Sequence, residues 1–175
     1  MRILLAVDES PCSQEAVRRL LTQFQRRGVQ ILVLNVVQQF STYVPSGMVP
    51  HLEELEIDRR KQAATLVART AQKLRKAGFL RITEAVESGD AKSLILDRAA
   101  KWNADLIVLG SHGLTGLPRL LMGSVSDAVV HHATCSVQVV RVRRAAKGPG
   151  RIPKRTAGVS RRIAKLVPST LLCFV

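Results

Sequence analysis

The apolar tetrapeptide Leu106-Ile107-Val108-Leu109 follows Asp105 and runs without a break into Gly110-Ser111-His112-Gly113. After nine further residues, Leu114 to Met122, Gly123-Ser124 opens a segment patterned like a new helix. A strand that empties into a glycine-rich loop and then into a serine-led helix restricts the fold more than any other stretch of the chain. Parallel α/β sheets hold phosphates in this way, because glycines let the backbone turn and approach an anion with free N–H groups directed inward. The helix start adds unpaired donors and the positive end of its dipole. Residues 105–126 therefore point to a nucleotide site.

The rest of the chain alternates strand and helix. Apart from Arg2, residues 2–7 are apolar, as expected of a central parallel strand covered on both faces. Ser10-Pro11 supplies an N-cap with proline at the first helical position. Ala16, Val17, Leu20, Leu21 and Phe24 then recur at helical spacing, with a stop near Gly28. Residues 29–37 read as a second strand, followed by a loop with Pro45, Gly47 and Pro50. A long amphipathic helix is expected from about 52 to 77, with Leu55, Leu66, Val67 and Leu74 inward and Gly78 at its end. Weak alternation of Leu80, Ile82, Glu84 and Val86 suits an edge strand over 80–87. A helix over 91–102, with Leu94, Ile95 and Ala99 on one side, precedes the 106–109 strand and its loop. A helix from about 124 to 132 and a strand over 136–142 complete the domain.

This alternation predicts an α/β fold: a single domain with a doubly wound, five-stranded parallel sheet and helices on both faces. Right-handed crossovers and the pattern of buried and edge strands favour the order 3-2-1-4-5. Ligands then belong at the switch between strands 1 and 4, where Asp8 ends one strand and Gly110 the other.

The net charge of +14 is unevenly placed. Residues 1–140 carry 17 basic and 13 acidic side chains, whereas residues 141–175 carry 10 basic and none acidic. The chain therefore divides into a domain over 1–143 and a basic, flexible tail over 144–175, whose Lys147 to Lys154 stretch has a linker's glycine and proline. Such a tail could dock to nucleic acid or an anionic membrane by counterion release. Its one aromatic, Phe174, is poor provision for base stacking, and a solvated extension is the plain alternative. No apolar run approaches the ~20 residues of a membrane span, and Asp8 and Glu9 end the first run too early for a signal peptide. Cys12, Cys135 and Cys173 are too widely and irregularly spaced for a disulfide framework or metal knuckle. A cytoplasmic protein with reduced thiols is expected.

Gly110, Gly113, Gly123 and Ser124 reproduce the Gly-x2-Gly-x9-Gly-Ser/Thr pattern of the ATP-binding branch of the universal stress protein family. The opening strand to Asp8-Glu9-Ser10, Leu34-Asn35-Val36, Gly89-Asp90 and Cys135 to Arg141 also resemble that family, over the first 140 or so residues. The resemblance implies a regulatory role in stress survival and at most slow ATP hydrolysis. It further implies ATP, with or without magnesium, or AMP or another adenine nucleotide as ligand, and a homodimer through the last strand. Val137, Val139 and Val142 are compatible with a self-complementary edge. The chain departs from many relatives in having Ser136, and Ala91 or Lys92, where they have proline.

Candidate roles follow. Gly110 and Gly113 curve around the phosphates, Gly123 precedes the helix, and Ser124 and Ser126 offer hydroxyl donors. Ser124 also reads as the N-cap, a role it could fill with no ligand. Asp8 could accept from a ribose hydroxyl or hold a magnesium ion, or could merely solvate its own turn. The resemblance puts Ala6, Val7 and Val36 on the adenine wall, with Leu109 and Val125 similar; alone they would pass as core. His112 could stack, donate or be an ordinary loop residue, and Arg119 could meet a phosphate or only water. The spacing fits neither a Walker loop nor a dinucleotide fingerprint. Adjacent His131 and His132 diverge on a helix and make a poor chelate, and Cys12 has no resolving partner nearby. No nucleophile–base pair and no base aimed at a γ-phosphate stands out.

Overall fold

Ile3, Leu4 and Leu5 are fully buried because their strand has neighbours on both edges and helices over both faces. A computed structural model of the chain describes residues 1–38, 49–113 and 122–142. Over these residues the order is β1 (Arg2–Ala6), α1 (Pro11–Gln23), β2 (Gln30–Val37), α2 (Val49–Lys76), β3 (Arg81–Ser88), α3 (Ala91–Lys101), β4 (Leu106–Gly110), α4 (Ser124–His132) and β5 (Ser136–Val140). The strands pair in parallel as one five-stranded sheet, β3-β2-β1-β4-β5. The expected doubly wound α/β fold and strand order are therefore what the chain adopts.

The two-residue period of the strands sorts the core into two layers. Ile3, Leu5, Ile31, Val33 and Val108 pack with Ala16, Val17 and Leu20 of α1 and with Val67 and Leu74 of α2. Leu4, Leu32, Leu34, Ile107 and Leu109 pack on the opposite face with Ile95 and Ala99 of α3 and Val129 of α4. Continuous apolar runs in β1, β2 and β4 are thus explained by burial on both sides.

Two helix starts behave as their sequences dictate. Ser10 Oγ accepts from the Ser13 N–H, with Pro11 next in line. An Asp90 carboxylate oxygen accepts from the Ser93 N–H at 3.0 Å and its hydroxyl at 2.8 Å, after Gly89 has turned the chain at φ +147°. Those hydrogen bonds hold the Asp90 pKa below its ordinary value of 3.8.

Several boundaries differ from expectation. α1 stops at Gln23 rather than near Gly28, because Phe24 turns extended and packs against the first core layer. Gly28, at φ +76°, then redirects the chain into β2. α2 starts earlier than expected, and Leu55 is half exposed rather than inward. The helix has 28 residues against eight in β2. At 1.5 Å per residue against about 3.3 Å, it measures roughly 42 Å beside a strand of roughly 26 Å, so its first turns overhang the sheet. β3 is the expected edge, paired among the described residues only to β2, but begins after the exposed Leu80. β5 ends at Val140 rather than Val142, since β4, its only partner among the described residues, ends at Gly110. No helix among the described residues is long and apolar enough to cross a membrane. The loop from 39 to 48 and the tail from 144 to 175 lie outside the described residues.

Candidate functional site

β1 and β4 part company at their carboxyl ends, because β2 and α1 follow one while β5 and α4 follow the other. The Val7 N–H donates to the Leu34 carbonyl at 2.8 Å, and Asn35 Nδ2 donates to the Val7 carbonyl at 2.6 Å, so the chain leaves β1 in a fixed direction. Asp8 comes next. Its N–H donates to Ser13 Oγ at 3.0 Å, and its Oδ1 accepts from the Ser10 N–H at 3.1 Å and the Ser10 hydroxyl at 2.6 Å. One carboxylate oxygen therefore does bind its own turn, and the first turn of α1 holds the side chain still. The other oxygen, Oδ2, faces Gly113: a Cβ added there would meet it at 3.0 Å.

The glycines work differently from the tight-turn reading. Among the described residues only Gly28, Gly78 and Gly89 have positive φ among glycines. At Gly110 the requirement is space, since a Cβ would lie 2.8 Å from the Ser13 nitrogen and 2.9 Å from Cys12. At Gly123 it would lie 3.1 Å from the Ser111 carbonyl oxygen. Glycine thus lets β4 press on α1 and lets the start of α4 press on the loop after β4. A hydrogen bond seals that second contact, the Gly123 N–H donating to the Ser111 carbonyl at 2.8 Å, while the Ser111 N–H ties the same loop to the end of β5 by donating to the Val140 carbonyl at 2.8 Å.

The start of α4 corrects one assignment. Gly123, not Ser124, is the N-cap; its carbonyl accepts the Asp127 N–H at 2.9 Å. Ser124 is the first helical residue, exposed, and makes no side-chain hydrogen bond among the described residues. Ser126 is buried, and its hydroxyl is directed to the Gly123 and Ser111 carbonyls at 2.8 and 3.0 Å. Of the two hydroxyls, Ser124 is the one open to a ligand.

These residues surround one cavity of about 680 Å³, a size ordinary for a small-molecule or cofactor site. Ala6, Val7, Asp8, Val36, Leu109, Gly110, His112, Gly113, Gly123, Ser124, Val125 and Ser126 all line it. Arg119 lies outside the described residues. His112 Nδ1 is 3.0 Å from the Ser111 hydroxyl, while its Nε2 is buried with no partner among the described residues. Sequence reasoning missed Glu9 and Asn35 beside β1 and β2, Arg59, Gln62, Ala63 and Leu66 on α2, and Ala91 and Ile95 on α3. Asn35 carried a signal, being polar within the apolar Ile31–Val37 run. The α2 residues carried none, because their pattern is only that of a helix packed on a sheet, and nothing local tells that this stretch passes the strand ends.

His131 Nδ1 lies 2.8 Å from the Asp127 carbonyl oxygen one turn earlier. No group of three His, Cys, Asp or Glu side chains gathers as metal ligands among the described residues. Burial, reinforced by the Asp105 charge, pushes the Cys135 thiol pKa upward. Val137 and Val139 are half-buried against the second core layer, and Val142 is exposed beyond the end of β5.

Residues 1–141 match the family model described as the universal stress protein family. A universal stress protein of Synechocystis is 32% identical over 155 residues, covering 80% of this chain and 97% of that protein. Universal stress protein UspA from Lactobacillus plantarum has a similar structure, with a TM-score of 0.72 and 30% identity over 81% of this chain and 97% of its own. A universal stress protein family protein from Arabidopsis thaliana, solved with AMP bound, aligns with a TM-score of 0.56 and 22% identity over 86% and 97% of the two chains.

Proposed function

The chain belongs to the universal stress protein family, and from that premise we propose that it is a cytoplasmic regulatory protein of the stress response that binds an adenine nucleotide, ATP foremost. The nucleotide lies at the carboxyl ends of β1 and β4, held by the 110–126 segment and the start of α4. One observation carries this reading. Residues from three separate stretches, singled out for a nucleotide, converge on a single cavity at the topological switch point.

Each part of a nucleotide has a fitting surface. Apolar walls from Ala6, Val7, Val36, Leu109 and Val125 suit adenine. The amides after β4, the exposed Ser124 hydroxyl and the positive end of the α4 dipole suit phosphates. Asp8 Oδ2, across from Gly113, suits a ribose hydroxyl or a magnesium ion carried on the phosphates. Magnesium commonly binds through one or two carboxylates plus substrate phosphates, so a lone protein carboxylate is enough. AMP bound to the Arabidopsis relative supports an adenine nucleotide in this pocket.

Bound nucleotide would alter a partner-facing surface or the dimer rather than undergo rapid chemistry. Calorimetric titration of ATP and AMP into wild type and the Gly113→Ala, Ser124→Ala double variant tests the reading. Wild type is expected to bind and the variant to lose about tenfold or more, the scale of one or two charge-assisted hydrogen bonds. Equal, negligible heats from both proteins would remove the proposal.

A further inference from the structure

The peptide group between Val7 and Asp8 is gripped from both sides. β1 and β2 stay in register up to Ala6 and Leu34. One residue further the Val7 N–H still donates to the Leu34 carbonyl at 2.8 Å. The Val7 carbonyl, however, accepts from a side chain, Asn35 Nδ2, at 2.6 Å. On the opposite edge of the same peptide the Asp8 N–H donates to Ser13 Oγ at 3.0 Å. A carbonyl only accepts and an N–H only donates, so the two bonds fix the plane of that peptide and the way the Asn35 amide faces.

The carboxylate that leaves this peptide is held as firmly. Asp8 Oδ1 takes the Ser10 N–H at 3.1 Å and the Ser10 hydroxyl at 2.6 Å, and Ser10 Oγ accepts in turn from the Ser13 N–H at 3.1 Å. Oδ2 is left over, facing Gly113, and accepts from no described residue. Asn35 is the one polar residue of the Ile31–Val37 run and is half-buried. An amide there costs stability unless it is bonded, and its bond goes to Val7 rather than into the core.

We propose that Asn35 is a positioning residue of the nucleotide site, aiming Asp8 Oδ2 at the ligand through the Val7–Asp8 peptide, with Ser13 as its counterpart on the other edge. An acceptor held to within about 0.5 Å by locked neighbours keeps a contact that a looser one loses. Resting on the nucleotide reading above, the clamp adds to it a residue that acts on the ligand through another.

ATP would be titrated into full-length wild type, the Asn35→Leu, Ser13→Ala and Asp8→Asn variants, and the Asn35→Leu, Asp8→Asn double variant, each checked for a cooperative melt. Asn35→Leu should weaken ATP by about fivefold or more by itself, and by less than about twofold once Asp8→Asn is present, since residues acting as one unit do not add. Ser13→Ala should weaken ATP in the same direction. In wild type, a scalar coupling through the hydrogen bond should join the Asn35 side-chain nitrogen to the Val7 carbonyl carbon, a readout that needs no variant to fold. Unchanged ATP binding by Asn35→Leu, or the same weakening with and without Asp8→Asn, would overturn the clamp and leave the nucleotide site standing; the second result would make Asn35 a direct contact or a general prop. Absence of the coupling would also overturn it. Wild type that binds no ATP would remove both.

Discussion

A methyl group at Gly110 would sit 2.8 Å from the Ser13 nitrogen and 2.9 Å from two carbons of Cys12. Two of those three atoms are backbone of α1, which cannot step aside alone. Gly110→Ala should therefore cost about 1–3 kcal/mol in chemical denaturation, the range for overpacking, with an unchanged slope. Loss of less than about 0.5 kcal/mol would mean that α1 and β4 are not pressed together as described. Gly113 differs, since its neighbour is the tip of Asp8 and the strain there falls on the site. At this scale the sequence was informative where spacing carries chemistry. Gly110, Gly113, Gly123 and Ser124 were found by their intervals, though their contacts were not foreseeable. Ser126 shows why: its hydroxyl turns to the Ser111 carbonyl, fifteen residues away in the chain, and no local pattern specifies that.

Among the elements, α3 depends on an exposed carboxylate. The Asp90 pKa is lowered chiefly by the Ser93 N–H and hydroxyl. A folded-state pKa below the unfolded one adds stability that is present above the unfolded value and is lost as pH falls through the folded value. Asp90→Ala should accordingly lower the melting temperature at pH 7, and the gap to wild type should shrink as pH drops below the ordinary 3.8. A gap that stays constant from pH 7 to pH 3 would assign the effect to something other than this cap. The start of α1 was legible because its cap is local: Ser10-Pro11 lies where its side chains predict, whereas α2 begins earlier than expected and Gly123 rather than Ser124 caps α4. Ends and overhangs were not. α1 ends when Phe24 finds the core, β5 ends when β4 does, and α2 runs past the sheet that buries its second half.

For the whole molecule, apolar strands separated by amphipathic helices with right-handed crossovers leave few arrangements, which is why the order 3-2-1-4-5 is legible in the sequence. A homodimer through β5 and docking by the basic tail are proposals that act at this scale. β5 pairs with β4 on one side and no described strand on the other, and the tail concentrates ten basic residues. Truncation after Arg144 should leave a dimer by sedimentation and abolish any salt-dependent binding to DNA or anionic vesicles. A monomer before truncation removes the dimer; identical binding before and after shows the tail to be inert. The central claim is that adenine nucleotide enters between the carboxyl ends of β1 and β4, and amide chemical-shift mapping during ATP titration tests it most directly. The largest shifts are expected at Asp8, Gly110, His112, Gly113 and Ser124, whereas shifts centred elsewhere, or none at millimolar ATP, would contradict that site.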